Sequence, residues 1–163
     1  MLSNYTYLLI DLLALAFPLA ASWDKRFSYH KKFKSIFIGI LVMMCVFIPW
    51  DIWFTENGVW GFNPDYLTGI SIFNLPIEEW LFFICIPFSS LFIFECINYY
   101  FPNFSNSKTT GRKLSLGFGV ILLSISIFFH DLDYTFYNFL GCSILLLINA
   151  AKPSKFLLRF FFA

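Results

Sequence analysis

Long apolar runs separated by short polar breaks organise this chain. Five such runs fall at roughly 4–22, 33–53, 78–99, 114–131 and 134–151. A helix of about 20 predominantly apolar residues crosses the ~30 Å hydrocarbon core of a bilayer. Such a helix satisfies its own backbone hydrogen bonds where lipid offers none. No strand-like alternation competes with these runs. They predict an all-α fold, a polytopic transmembrane helix bundle of about five complete spans. After Lys155 the chain reads FLLRFFFA. Eight helical residues extend only about 12 Å, so this short sixth segment reads either as an interfacial end or as the start of a span that is cut off. KKFKSIFIGI (31–40) and KPSKFLLRFF (152–161) share a basic-then-apolar onset, so a repeat is expected to begin a second time and stay incomplete. The expected organisation is a first three-helix repeat over 1–100, a loop and connecting helix over 101–133, and the start of a second repeat over 134–163.

The charges orient the spans. Lys25, Arg26, Lys31, Lys32 and Lys34 lie between the first two runs, Lys108, Arg112 and Lys113 between the third and fourth, and Lys152, Lys155 and Arg159 after the fifth. The opposite connections carry Asp51, Glu56, Asp65, Glu78, Glu79, Asp131 and Asp133 and no cation. The positive-inside rule makes the basic side cytoplasmic and puts the N-terminus and the glutamate pair across the membrane. The opening MLSNYTYLLID lacks a basic stretch, so the first run is expected to be a retained helix.

Composition agrees. Hydrophobic residues make up 59% of the chain and charged residues 13%, against about 25% charged in soluble domains. The net charge of +1 gives no reason to expect a nucleic-acid partner. Cys45, Cys85, Cys96 and Cys142 form no CxxC and read as buried thiols. His30 reads as a surface residue among lysines, and His130 has no partner at metal-ligand spacing. GFG at 117–119 lacks the third glycine of a nucleotide fingerprint.

The candidate chemistry is carboxylic. Asn74 reads as an N-cap and Pro76 as part of a first helical turn, which places Glu78 and Glu79 at the mouth of the third run. Two roles compete for the pair. Carboxylates in a first turn complement the helix dipole. Alternatively, adjacent helix positions point about 100° apart, so one acid faces the bundle, where apolar surroundings and its neighbour favour keeping one proton in the pair. Asp11 is an ionisable group in mid-span, which marks either a site or a buried polar contact. Asp51 closes the second run as a cap or as a third member of the cluster, and Glu95 near the cytoplasmic end reads as a snorkelling residue. The connection over 51–77 is rich in Trp, Phe and Tyr and is expected to fold over the glutamates as a lid. Phe82, Phe83, Phe88, Phe92 and Phe94 run down the third span, either as ordinary packing or as a sleeve for an apolar chain.

The stretch LPIEEWLFF (75–83) resembles the membrane-embedded lycopene cyclase family, whose Pro-x-Glu-Glu/Asp motif is matched by Pro76, Glu78 and Glu79. GVWGFNPDYLTGISIFNLP (58–76), Asp11 and Asp51 are similar to the family too. The resemblance covers most of residues 4–100 and is weaker through 114–155. It implies an isomerase that closes a ring on a linear carotenoid without redox change, with Glu78 and Glu79 sharing the acid and base roles. It implies that Asp11, Asp51 and Pro76 support them, and that Trp60, Trp80 and Phe82 line the substrate and shield a carbocation. No dinucleotide, metal or other cofactor is implied. The expected partners are a membrane-dissolved polyene, the lipid bilayer, and a second cyclase half or another copy of the chain. The expected location is a bacterial inner membrane. A fused member of the family carries a second Pro-x-Glu motif, which this sequence lacks. Two further readings stand beside the enzyme: a small transport or channel subunit whose carboxylates line an ion path, and a non-catalytic partner of another cyclase. Between Trp80 and Phe94 only Ser89 and Ser90 offer hydroxyls, which argues against a wet pore.

Overall fold

The structure is a computed structural model that describes residues 3–102, 108–154, 157 and 161. It divides into two compact units, Met1–Tyr100 and Phe101–Ala163. The first holds α1 (Thr6–Ala21), α2 (Phe33–Glu56) and α3 (Ile77–Tyr100), with a small hairpin of β1 (Ser71–Ile72) and β2 (Leu75–Pro76) before α3. The second holds α4 (Lys108–Phe128) and α5 (Asp133–Ala151). Four of these helices are long and apolar enough to cross a membrane. The exception is α1, whose 16 residues extend about 24 Å; a 3-10 turn over Ser3–Tyr5 precedes it. The short sixth segment falls largely outside the described residues.

Large apolar side chains point outward. Leu13 and Phe17 of α1 are each 72% exposed, and Val42 and Val46 of α2 face out in the same way. This is the surface a bilayer requires. Inside the first unit, Tyr29, Ile36, Ile40, Phe88 and Phe92 form the core. Rings of Tyr29, Phe33 and Phe88 meet edge to face at 5.2–6.0 Å, the geometry aromatic quadrupoles favour. The Tyr29 hydroxyl donates to the Phe88 carbonyl at 2.8 Å. Phe88 and Phe92 are therefore packing residues.

Prolines sit inside all three helices of this unit: Pro18, Pro49 and Pro87. A mid-helix proline has no N–H to give the carbonyl four residues back. For Pro18 that carbonyl belongs to Ala14, and the Ser89 hydroxyl of α3 reaches it at 3.0 Å, while also lying 2.7 Å from the Cys85 carbonyl. A hydroxyl on a neighbouring helix thus meets the acceptor that the proline frees, and α1 is tied to α3 at mid-depth.

The entry to α3 differs from the sequence expectation. Phe73 and Asn74 have φ of 50° and 61° and form the two-residue turn of the hairpin, with Ile72 paired to Leu75. Two successive positive φ angles give a turn whose twist matches the strands it joins. Asn74, which tolerates this conformation better than most residues, is a turn residue and not an N-cap. Pro76 ends β2, and the helix starts one residue later. The Ile77 amide donates to the Ile70 carbonyl at 2.9 Å, locking the hairpin to the helix start. At the other end of the lid, α2 runs on to Glu56, so Asp51 lies within the helix and does not close it.

Two polar expectations also change, those for the cysteines and for His30. Cys85 is buried, but Cys45 and Cys142 are exposed; an apolar thiol can face lipid at little cost. His30 is held by the Ser22 carbonyl at 3.0 Å and stacks on Trp23, so it is not a free surface group. Glu95 pairs with Lys32 at 2.6 Å.

In the second unit, α4 and α5 pack on small residues. The buried positions of α4 are Gly111, Ser115, Gly119 and Ser126. Ser143 donates to the Gly119 carbonyl at 2.9 Å. A side chain at Gly119 would stand 3.0 Å from Leu147 Cδ2. Small residues let helix backbones approach closely where lipid provides no hydrophobic drive.

Candidate active site

The hairpin delivers the chain into α3 so that its first turn begins with Ile77, Glu78 and Glu79. Successive helix positions diverge by about 100°, and the two carboxylates separate accordingly. Glu78 is 2% exposed. Its Oε1 accepts the Thr68 backbone N–H of the lid at 2.7 Å, and its Oε2 has no hydrogen-bond partner among the described residues. Glu79 points where two cavities meet and borders both.

The larger cavity, about 400 Å³, is walled by the rings of Phe47, Trp50, Trp60, Phe62, Phe82 and Phe83. Asp51, Glu79 and Tyr7 also line it. The smaller, about 220 Å³, lies between Tyr7, Ile10, Asp11, Glu78, Glu79 and Phe82. Asp11 and Asp51 are each 3% exposed. Four carboxyl groups therefore converge at one end of the first unit, three of them almost fully enclosed. Every Lys and Arg of residues 1–100 lies within 25–34, at the opposite ends of α1 and α2. Among the described residues of this unit no Lys or Arg is available here to neutralise carboxylate charge.

Of the expected site residues, Asp11, Asp51, Glu78, Glu79, Trp60 and Phe82 come together. Trp60 is fixed on the lid: its indole N–H donates to Thr55 Oγ1 at 3.1 Å, and its ring meets Phe54 and Trp50 edge to face. Pro76 is buried in the hairpin that leads to the pair. Trp80 stands apart. Its indole N–H reaches the Ile72 carbonyl at 3.4 Å, and its ring lines neither cavity. Sequence reasoning missed Tyr7 and Thr68. Tyr7 carried a signal, being four residues before Asp11 and so on the same helix face. Thr68 acts through its backbone and carried none. Among the described residues no three His, Cys, Asp or Glu side chains are arranged to hold a metal ion.

The family model described as Lycopene cyclase matches residues 4–97, which take in α1, α2, the whole lid and α3 up to its last turn. The chain belongs to the lycopene cyclase family. Curated relatives carry the name bifunctional lycopene cyclase/phytoene synthase. The one from Gibberella fujikuroi is 28% identical over 113 residues, 68% of this chain and 19% of that protein. The one from Aspergillus oryzae is 25% identical over 89 residues, 54% of this chain and 15% of that protein. The one from Podospora anserina is 31% identical over 83 residues, 49% of this chain and 14% of that protein. The matched stretch is thus less than a fifth of each of these relatives. No solved structure matches. Membership in the lycopene cyclase family supports a cyclase-type, carotenoid-directed function, and the four long apolar helices fit an integral membrane protein.

Proposed function

We propose that this chain carries the ring-closing chemistry of a lycopene cyclase: a non-redox isomerisation at the end of a linear carotenoid dissolved in the bilayer. The observation that supports it is the carboxyl pair Glu78 and Glu79 at an aromatic-walled cavity, with every Lys and Arg of residues 1–100 at the other end of the unit. The relatives' name supplies the reaction class. One carboxyl gives a proton to the terminal alkene and leaves a tertiary cation. The next double bond attacks it and closes a six-membered ring. A carboxylate removes a proton beside the new cationic carbon. Atoms in equal atoms out, and no electrons are exchanged. The two glutamates carry the acid and base work between them, and Asp11 and Asp51 support them.

The aromatic wall suits the intermediate. Ring faces attract a cation, and exclusion of water protects it from capture. The cavity falls within the ~300–1,000 Å³ range of small-molecule sites. The pore reading loses ground, because the Ser89 hydroxyl is engaged between α1 and α3. The basic loops belong on the cytoplasmic side of a bacterial inner membrane, with the carboxyl cluster near the opposite face. A second cyclase half or another copy of the chain is the partner to test alongside.

Expression in lycopene-accumulating bacteria, with chromatography of the pigments, tests the reading. Cyclic product is expected from the chain, alone or with a second cyclase half. Glu78→Gln and Glu79→Gln should each reduce it. Full cyclisation by both variants would leave the glutamates as helix caps and remove the proposed chemistry.

A further inference from the structure

The two cavities are not equivalent, and their difference divides the proton work. Glu79 borders both, whereas Asp51 borders only the larger one and Glu78 and Asp11 only the smaller. Asp51 is 3% exposed and its Oδ1 has no hydrogen-bond partner among the described residues. Trp60 and Thr55 bear on the Asp51 carboxyl, yet one of its buried oxygens stays without a partner, which costs folding free energy, so it asks for a function. Its position supplies one: it is the second carboxyl group of the aromatic cavity, on α2, where Glu79 enters from α3.

We propose that Asp51, rather than a glutamate of the pair, is the proton acceptor of ring closure, working across the aromatic cavity from Glu79 as donor, which revises the division of acid and base work given above. The assignment rests on the ring-closing function above. The O–H bond of Glu79 breaks as its proton forms a C–H bond on the terminal alkene carbon. The adjacent alkene closes the ring and moves the cation to a carbon with three hydrogen-bearing neighbours. One neighbouring C–H bond breaks, its electrons form the ring-associated double bond, and the proton passes to the Asp51 carboxylate. Returning that proton to Glu79 restores the starting state, with the smaller cavity and its carboxyls at the donor's back. The acceptor's position selects which neighbour loses its proton, so Asp51 also sets where the double bond falls.

The test uses the full chain with a second cyclase half in lycopene-accumulating bacteria, with the three double-bond isomers separated by chromatography and membrane content checked by immunoblot. Asp51→Asn should lower cyclic product about 100-fold or more at unchanged abundance, the scale of losing a positioned proton-transfer group. Asp51→Glu, which moves the acceptor by one methylene, should still close rings but alter the proportions of the isomers. A purely structural Asp51 would change yield and leave those proportions alone. Unchanged proportions in Asp51→Glu, or full activity in Asp51→Asn, overturn the assignment while leaving the ring-closing function standing. Absence of cyclic product from the unmodified chain in the same cells overturns both.

Discussion

The link between Pro18 and Ser89 allows a quantitative test of how the first unit holds its site together. Pro18 frees the Ala14 carbonyl, and Ser89 Oγ lies 3.0 Å from it across the α1–α3 contact. The same hydroxyl lies 2.7 Å from its own helix's Cys85 carbonyl. It has a single proton, so the interhelical bond is shared. Side-chain hydrogen bonds between membrane helices average about 0.6 kcal/mol and reach about 1.7. Ser89→Ala also strands the Ala14 acceptor in a place without water, which pushes the cost toward the top of that range, about 1.5 kcal/mol. Pro18→Ala restores an N–H to the carbonyl, and the hydroxyl then adds little. In the Pro18→Ala background, Ser89→Ala should therefore cost only a few tenths of a kcal/mol. The expected coupling is about 1 kcal/mol, above the ~0.3–0.5 kcal/mol scatter of independent sites. Unfolding of the four variants in bicelles, followed by tryptophan fluorescence, measures it. Because Asp11 precedes Ala14 by one turn, Ser89→Ala should also lower cyclisation, and Pro18→Ala should restore part of it. Additive effects within about 0.3 kcal/mol would show that Ser89 does not serve the proline-freed carbonyl.

Other expectations concern the periphery. Gly119→Val should destabilise the α4–α5 pair by about 1–3 kcal/mol in detergent thermal denaturation, because a Cβ there meets Leu147 at 3.0 Å; Gly119→Ala should cost less. Lys32→Ala should cost under about 1 kcal/mol, with the loss fading in high salt, since the 2.6 Å pair with Glu95 is partly solvated. Asp24 is held by Arg26, whose Nη2 lies 2.7 Å from Oδ2, and the guanidinium lowers its pKa from 3.8 to about 2. A depressed carboxyl pKa stabilises the fold above the unfolded value and loses that contribution as pH falls, here between about 4 and 2. Arg26→Ala should move the Asp24 titration back up, as followed by NMR of labelled aspartate, and abolish that window.

Hydropathy makes the helices and the glutamate pair legible, because a span is a matter of length and an intramembrane acid stands out against hydrocarbon. It does not show which faces turn inward. In a soluble helix the large apolar residues mark the core; here they are spread all round, and many face out, as Leu13 and Val42 do. In α1 and α4 the inward faces are marked by polar and small residues, and in α2 and α3 such residues stand among the large core side chains. Asp11 and Pro18 are the buried residues of α1, and Gly111, Ser115, Gly119 and Ser126 those of α4. That inversion follows from the solvent: burying Leu gains little from lipid, whereas a hydroxyl, a carboxyl or a close backbone approach needs protein around it. It also explains the particular misreadings. The expectation that Cys45 and Cys142 are buried rests on thiols being apolar, the one property that fails to discriminate here. Asp51 reads as a cap when the α2 boundary is drawn at the first polar residue, whereas the helix continues to Glu56 and carries the carboxyl into the cavity wall. The turn at Phe73 and Asn74 lacks the glycine that would have announced it. Read by polar and small positions, α3 gives Glu78, Cys85 and Ser89 along one side, spaced by seven and four residues, and all three are buried. A continuous inner stripe therefore leads from the carboxyl cluster down to the Ser89 contact, so the residues that position the chemistry and those that join the helices share one face.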